Sequence, residues 1–250
     1  MNHLIFSFVF SFMFSLAKNL PYYVYINSVP KCGVHLAMKT ISLILNNYKW
    51  VRGFDINFFK DHKNNKGFNT LYCSHGAGKD FIIFDEFFKH NPRKNFLVIR
   101  DPRDVVVSFA YFIKKYPFQW EGGDVKTINK LITEILESDI LNSWYNSFYF
   151  DWLANNPKSF EIRFEDLIGS QGGGSDQKQI ETLISMMEYL EVEPTDKLLK
   201  HVKDNLFGST GTFREGKIGA WKKEFSDEQK VLFLEKYSDL LDKLCYSIDY

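Results

Sequence analysis

The chain has 250 residues, of which 45% are hydrophobic and 25% are charged, and its 31 basic residues are balanced by 31 acidic ones. This length and composition suit a single globular α/β domain with at most a short appendage. A net charge of zero excludes a global field that attracts nucleic acid or an anionic membrane, so any anion site must be local. The three cysteines, Cys32, Cys73 and Cys245, form no disulfide framework and no zinc motif, and we expect no metal.

The N-terminus begins with an uncharged, Phe-rich run from Leu4 to Ala17. It is too short for an ordinary membrane span but matches the apolar core of a signal peptide, and small residues at its end offer a cleavage site. We therefore expect residues 1–19 to be a signal peptide or anchor, with membrane contact through residues 4–17, in a secreted, exported or membrane-anchored protein. The alternative is a buried N-terminal helix or strand in a cytoplasmic protein. Residues 20–250 are interpreted as one domain.

The first half of the chain alternates strands with helices. Tyr22–Ile26 is β-branched and aromatic and predicts a strand buried on both faces, followed by a glycine turn. Val34–Asn47 has the apolar spacing of a helix. A strand at Thr70–Cys73, a helix capped by Asp80 from Asp80 to His90, and a short strand at Asn95–Ile99 follow. Strand, glycine turn and helix together open a βαβ unit.

The second half continues the pattern. It predicts, in chain order, a helix at Val105–Lys115 with Pro102 in its first turn, a loop at 116–125, a long helical stretch at Val125–Leu153, a strand at Ser159–Arg163, a flexible linker at 169–176, helices at 177–191 and 195–204, a glycine-rich segment at 207–220 and a final helix from Ser226. Strands alternating with helices predict an α/β fold with a central parallel β-sheet flanked by helices on both faces. Ligands of such sheets bind beyond the carboxyl ends of the strands.

The turn after the first strand has the composition of an anion cradle. In Pro30-Lys31-Cys32-Gly33 a glycine turn feeds a helix N-terminus, whose backbone N–H groups point at an anion, and Lys31 adds a positive charge. It is not a Walker A loop, and no Ser or Thr follows the Lys as a magnesium ligand. By itself the turn also fits an ordinary strand-to-helix connection.

A second corner follows the strand at Asn95–Ile99. In Arg100-Asp-Pro-Arg-Asp104 two guanidinium groups are available for phosphate oxygens, and the hydroxyl of Ser108 lies on the first turns of the next helix. The alternative is a salt network in which Arg100 and Arg103 pair with Asp101 and Asp104.

The third candidate segment lies near the C-terminus. Thr212 to Trp221 contains glycines at 216 and 219 that favour a flexible strap, and it presents Arg214 and Lys217. A solvated loop with scattered charge is the alternative interpretation.

Together these segments resemble, in the same order along the chain, the cofactor motifs of the sulfotransferases that use 3′-phosphoadenosine 5′-phosphosulfate (PAPS). The resemblance spans about residues 21–237 and implies a P-loop NTPase-like sulfotransferase fold. It implies that the first loop binds the 5′-phosphosulfate, the second corner and the strap bind the 3′-phosphate, and Phe164 lies near the adenine. The implied cofactor-binding residues are Lys31, Cys32, Gly33, Val34, His35, Leu36, Arg100, Ser108, Phe164, Phe213, Arg214, Glu215 and Gly216.

The resemblance also implies the catalytic residues. Ser74-His75 follows the second predicted strand where the family has its general base, so His75 is the expected base, and imidazole suits that task near pH 7. Lys31 is expected to stabilise charge on the leaving oxygen as a hydroxyl or amine acceptor displaces it in line. No metal is implied.

Two other functions stay open. A P-loop nucleotide-dependent kinase or phosphotransferase would share the sheet and the anion loop, but it would need magnesium ligands. A catalytically inactive sulfotransferase-like binding protein is favoured by Val34, where the family often has Thr, and by Glu215, where it has a basic residue.

The sequence leaves the acceptor open among small molecules, glycans and proteins, and it leaves the oligomeric state open; we expect no nucleic-acid partner. The acceptor site is expected in the aromatic loops at 50–70, 76–80 and 116–124, which contain Phe118 and Trp120.

Overall fold

The computed structural model describes residues 23–45, 49–52, 70–75, 93–120, 126–208 and 213–248. The predicted N-terminal signal or anchor, the predicted helix Asp80–His90 and most of the predicted acceptor loops lie outside these residues. Within them, every helix is too short or too polar to cross a membrane.

The described strands form one parallel sheet. They are β1 (Tyr23–Ser28), β2 (Lys49–Arg52), β3 (Thr70–Ser74), β4 (Arg93–Ile99) and β5 (Phe160–Arg163), in the order β2-β3-β1-β4-β5. The predicted parallel α/β sheet is confirmed, and β2 is an edge strand that the sequence pattern did not predict. The chain moves from β1 to one side of the sheet and later to the other, so the strand order reverses between β1 and β4. A sheet of this kind binds its ligand at that reversal, beyond the carboxyl ends of the strands.

Helices lie between β1 and β2, between β4 and β5, and after β5. Their bounds are α1 (Val34–Leu45), α2 (Pro102–Lys115), α3 (Ile128–Glu137), α4 (Ile140–Tyr145), a π-helical turn (Asn146–Phe150), α5 (Asp151–Asn155), α6 (Phe164–Ile168), α7 (Asp176–Tyr189), α8 (Asp196–Leu206), α9 (Trp221–Glu224) and α10 (Asp227–Lys243). Ser226 caps α10 as expected, in a capping box with Gln229.

The long helical stretch predicted at Val125–Leu153 is helical over most of its described residues, but the chain breaks at Ser138 between α3 and α4. The Ser138 hydroxyl donates to the carbonyl of Ile135 at 2.7 Å, and its own carbonyl accepts from the Tyr237 hydroxyl at 2.6 Å. Serine side chains that bond to nearby backbone compete with helical hydrogen bonds. A bond from a distant helix then fixes the break.

Helices cover both faces of the sheet. The Tyr25 ring of β1 stacks on Trp152 of α5 with centroids 5.1 Å apart. The neighbouring Ile26 points to the opposite face and is level with Phe96 of β4, whose ring meets Tyr189 of α7 edge-on at 5.2 Å. This double coverage explains why consecutive residues of β1 and β4 are buried.

The glycine-rich stretch 169–176, predicted as a flexible linker, is instead packed against residues 216–218. The carbonyl of Gly172 accepts from the N–H of Ile218 at 2.9 Å, and a Cβ at Gly172 would lie 2.6 Å from the carbonyl oxygen of Gly216. The glycine therefore permits close approach of two backbone segments rather than flexibility.

Candidate active site

The turn after β1 has the backbone of an anion cradle. Lys31 has φ of 70° and Gly33 has φ of 97°, so the chain turns sharply before α1 begins at Val34. A Cβ at Gly33 would lie 2.7 Å from the Phe164 ring, so this position requires glycine for space as well as for conformation. The first N–H groups of a helix have no acceptor within it. The start of α1 therefore presents donors beside Lys31.

Lys31 supplies the positive charge of this loop. Its Nζ lies 3.9 Å from the centroid of the Phe112 ring, and no acidic side chain within the described ranges forms an ion pair with it. Burial, together with the nearby charges of Arg100 and Lys115, lowers the pKa of Lys31 to about 8. A half-buried cation without a carboxylate partner suits an anionic ligand.

Arg100 follows β4 and faces the same space. Its Nη2 donates to the carbonyl of Lys217 at 2.7 Å and lies 3.5 Å from the carboxylate of Asp104, while its guanidinium lies 4.1 Å from the centroid of the Phe164 ring. Its Nε is buried and has no hydrogen-bond partner among the described residues. A buried donor left without a partner costs about 1–3 kcal/mol. An acceptor from a ligand would remove that cost.

Arg103, by contrast, belongs to a structural salt network. Its Nη2 lies 2.8 Å from Asp101, whose carboxylate also caps α2 by accepting from the Arg103 backbone N–H at 2.9 Å. The N–H of Asp101 donates to Glu165 at 2.9 Å. The salt-network alternative thus holds for Arg103, whereas Arg100 pairs only at long range with Asp104 and keeps Nε available.

His75 lies directly after β3 with its ring in a defined orientation. Its Nδ1 is 2.7 Å from the carbonyl oxygen of Ser28, at the end of β1. A carbonyl only accepts, so Nδ1 bears the hydrogen and Nε2 of the neutral ring keeps its lone pair. Burial lowers the pKa of His75, the bond to Ser28 opposes this, and the charge of Lys31 lowers it further. The ring is therefore neutral near pH 7.

The strap, defined here as residues 213–220, is fastened to the β4 corner by Asp104. This buried carboxylate accepts from the N–H of Gly219 at 2.8 Å and from the N–H of Trp221 at 3.2 Å. Burial raises the pKa of Asp104 above its ordinary value, although the charge of Arg100 and these two bonds partly oppose the rise. The contact joins the second and third sequence motifs across more than a hundred residues.

The charged side chains of the strap pair with each other and with α9. Arg214 Nη1 lies 3.1 Å from Glu215 and 4.0 Å from Glu224, and its guanidinium lies 4.2 Å from the centroid of the Tyr111 ring. The Phe213 ring is 39% exposed, and it borders the cavity. The predicted 3′-phosphate ligand Arg214 is therefore compensated by two carboxylates.

The three motifs and His75 surround one cavity of about 570 Å³. Of the predicted site residues, those that line it are Lys31, Gly33, Val34, His35, Leu36, His75, Arg100, Ser108, Phe164, Phe213, Arg214, Glu215 and Gly216.

Cys32 is the predicted site residue that the cavity excludes. Its N–H donates to the carbonyl of Val29 at 3.2 Å, and its buried thiol lies 3.7 Å from the hydroxyl of Tyr145. Burial raises the pKa of the Cys32 thiol to about 12. Cys32 therefore packs beneath the loop, with no donor directed at a ligand.

Sequence reasoning missed two features of the site. One is an apolar wall from α2 and α4, formed by Phe109, Phe112, Ile140 and Trp144, which continues the surface of Trp120. Of the two aromatic residues expected in the acceptor loop at 116–124, Trp120 lines the cavity, whereas Phe118 is 79% exposed.

The other missed feature is Tyr145, whose hydroxyl donates to the carbonyl of Arg100 at 2.6 Å while contacting Cys32. It connects the β1 and β4 corners. Its only sequence signal was an apolar position in a helical pattern, which does not distinguish it from other core residues.

Among the residues that the structure describes, no group of three or more His, Cys, Asp or Glu side chains is placed to hold a metal ion.

Known structures and sequences agree on the fold. The structure of mouse sulfotransferase SULT7A1 complexed with PAP superposes with a TM-score of 0.65 and 16% sequence identity, covering 90% of this chain and 88% of that one. The chain has the sulfotransferase fold. The predicted P-loop-like sulfotransferase architecture is thereby confirmed.

Curated sulfotransferases are also similar in sequence, at low identity. Sulfotransferase 6B1 from Danio rerio is 27% identical over 169 residues, covering 62% of this chain and 54% of that protein, and the Homo sapiens protein of the same name is 26% identical over 165 residues. A 3-beta-hydroxysteroid sulfotransferase from Cavia porcellus is 25% identical over 247 residues and 80% of its length. The chain matches about half the length of the first two relatives. No protein-family model matches it. The resemblance to sulfotransferases that the sequence motifs indicated is confirmed by these relatives.

Proposed function

We propose that this protein transfers a sulfonate group from PAPS to a hydroxyl or amine acceptor. The proposal rests on two cationic side chains, Lys31 and Arg100, that lie together where the strand order of the sheet reverses and that have hydrogen-bonding or charge capacity left for a ligand. Lys31 has no carboxylate partner in the described part of the chain, and Arg100 keeps a buried Nε without an acceptor. Both line one cavity in a chain that is similar to sulfotransferases.

The residues fit a nucleotide with two separate anionic groups. We assign the 5′-phosphosulfate to the loop that starts at Lys31, where α1 supplies backbone donors. We assign the 3′-phosphate to Arg100, Ser108 and Arg214, which line the same cavity. The Phe164 ring is 5% exposed and contacts the Arg100 guanidinium and the Gly33 position, so it orients Arg100 in addition to its proposed place near the adenine.

When bound, PAPS supplies an activated sulfonate that an acceptor oxygen or nitrogen displaces in line from adenosine 3′,5′-bisphosphate (PAP). His75 is the proposed general base, because the Ser28 carbonyl orients its ring through Nδ1 and a neutral imidazole of that tautomer takes a proton at Nε2. Lys31 is proposed to stabilise the negative charge that builds on the leaving oxygen. The apolar wall with Phe112 and Trp144 would exclude water from the reacting groups.

We propose one sulfotransferase domain over residues 20–250, with residues 1–19 as its signal or anchor. The acceptor class among small molecules, glycans and proteins is left to experiment.

The test is acceptor-dependent release of PAP from PAPS by the full chain. A panel containing a phenol, an aliphatic alcohol, an amine, a sugar and a tyrosine peptide should include at least one acceptor that accelerates release. The acceleration should persist with a chelator present and should be lost in His75→Ala. Binding of PAP without acceleration by any acceptor would favour the inactive binding protein, which the pairing of Arg214 with Glu215 makes the second candidate. Turnover of magnesium–ATP in place of PAPS would instead support a phosphotransferase.

A further inference from the structure

One carboxylate stands in a cavity whose other charged residues are basic. Lys31, Arg100, Arg214 and Lys217 supply positive charge, and Glu215 is the sole acidic residue among the described ones that line the cavity. Its side chain is 53% exposed. A negative group at this place opposes the binding of an anion.

Glu215 also engages the cation nearest to it. Its Oε1 lies 3.1 Å from Nη1 of Arg214, and Oε1 of Glu224 lies 4.0 Å from the same nitrogen. Glu224 is in turn fixed by the Tyr111 hydroxyl at 3.0 Å, and the Arg214 guanidinium lies over the Tyr111 ring. Arg214 is thus held by two carboxylates and an aromatic ring, and a ligand phosphate must compete with them.

The strap cannot carry Glu215 far from the anion site. Two residues further on, the carbonyl of Lys217 accepts from Arg100 at 2.7 Å, and the N–H of Ile218 donates to Gly172 at 2.9 Å. Asp104 fixes the next turn through Gly219. These bonds anchor the strap just after residue 215. They therefore keep Glu215 close to Arg100, whose guanidinium is proposed to bind the 3′-phosphate.

We propose that Glu215 is a specificity-determining residue that reduces the preference of the cavity for nucleotides with a 3′-phosphate over those with a free 3′-hydroxyl. This rests on the proposed function, because it assigns the end of the cavity under the strap to the 3′-phosphate. The carboxylate acts in two ways: it repels the phosphate directly, and it occupies Arg214. Removing its charge should therefore strengthen binding of the 3′-phosphorylated nucleotide and leave the nucleotide without that phosphate almost unchanged.

The effect should be moderate because both partners are partly exposed. Charges in contact with water at ordinary ionic strength interact weakly, so we expect about a 3- to 10-fold gain in affinity. The gain should shrink as salt rises, since salt screens exposed charges. A change caused by altered packing would lack that salt dependence.

The experiment is calorimetric titration of the full chain with PAP and with adenosine 5′-monophosphate, which differ only in the 3′-phosphate. Wild type, Glu215→Gln and Glu215→Lys are compared, with Glu188→Gln as a control that removes the same charge from the exposed face of α7. The dissociation constant of adenosine 5′-monophosphate divided by that of PAP should rise about 3- to 10-fold in Glu215→Gln. The same ratio should rise further in Glu215→Lys and should not change in Glu188→Gln.

A wild type that binds PAP but whose ratio is unchanged in both Glu215 variants would overturn the assignment of Glu215 and leave the proposed function intact. Absence of PAP binding by wild type and variants alike would overturn the proposed function and this assignment with it. An equal gain for both nucleotides would also contradict the proposal, because the 3′-phosphate would then play no part.

Discussion

The floor and the roof of the cavity are built differently. The floor consists of Lys31, His75 and Arg100, each placed directly after a parallel strand or in the turn that follows it. Buried bonds fix it, such as those from Tyr145 to the Arg100 carbonyl and from His75 to the Ser28 carbonyl. The roof is the strap, which is attached mainly through backbone atoms and whose Arg214 and Glu215 side chains are partly exposed.

From this difference we expect the floor to determine catalysis and binding strength, and the strap to determine selectivity between nucleotides. Buried groups act in a medium of low polarity, where each hydrogen bond and charge has a large effect, whereas exposed charges are screened. Substitutions in the floor should therefore cause large losses, and substitutions in the strap should cause moderate and salt-dependent changes. The following predictions test the floor, beginning with the largest expected effect, and the Glu215 variants described above test the strap.

Replacing His75 with Ala should lower kcat by about 10²- to 10⁴-fold, because general base catalysis contributes in that range. The affinity for PAP should stay within about threefold of wild type, since the proposed role of His75 concerns the acceptor proton. Steady-state kinetics and calorimetry measure the two quantities, with His201→Ala on exposed α8 as the control.

The pH profile gives a second check on His75. Burial lowers its pKa, so the neutral base should persist below pH 6.5, and activity should fall only as the pH drops through the lowered pKa. Activity that is already lost well above pH 6.5 for want of an unprotonated base would contradict this role.

Replacing Arg100 with Met should weaken PAP binding by about 100-fold, since charge-assisted hydrogen bonds to phosphate contribute roughly 1.5–3 kcal/mol. It also leaves Asp104 without its nearest cation, so thermal unfolding must be followed in parallel. Arg103→Met is the matched control, because Arg103 is equally buried but pairs with Asp101. It should lose stability without a comparable loss of affinity; equal losses of affinity in the two variants would show that Arg100 acts only structurally.

Replacing Tyr145 with Phe should lower the free energy of unfolding by about 1–3 kcal/mol, because the buried carbonyl of Arg100 loses a hydrogen-bond donor. The β1 and β4 corners lose a connection, so PAP affinity should fall as well. Tyr237→Phe removes a buried hydroxyl bonded to the Ser138 carbonyl, away from the cavity. Urea unfolding should show similar losses for both variants, while calorimetry should show weaker PAP binding for Tyr145→Phe alone.

The affinity for PAP should depend on pH through Lys31. Burial lowers its pKa to about 8, and an anion binds best to the protonated amine. Affinity should thus be full below pH 8 and fall as the pH rises through that value, by up to about tenfold between pH 7 and pH 9. Lys31→Arg, which stays charged, should remove the dependence. A wild-type affinity that is flat over this range would show that Lys31 does not face the bound anion.

The parts of the site that sequence predicts are those encoded locally. The glycine turn at Lys31–Gly33 and the Arg-Asp-Pro-Arg corner at Arg100 can be recognised in the sequence, because a strand end, its turn and the next helix start are neighbours in the chain. The parallel sheet followed from the same alternation of strands and helices.

The parts that sequence did not predict depend on contacts between distant segments. The glycines near Gly172 had the composition of a linker, but they allow the strap to approach closely. Cys32 was grouped with the binding loop although Tyr145, 113 residues away, holds its thiol in the core. The apolar wall of Phe109 and Trp144 likewise arises from two helices whose contact no local pattern specifies.

Calorimetric titration of the full chain with adenosine 3′,5′-bisphosphate tests the central claim most directly, with ADP and magnesium–ATP as the competing ligands and Arg100→Met as the site check. We expect the bisphosphate to bind without magnesium and more tightly than ADP, and we expect the substitution to abolish most of this affinity. Failure of the bisphosphate to bind, or a preference for magnesium–ATP, would contradict the proposed sulfotransferase function.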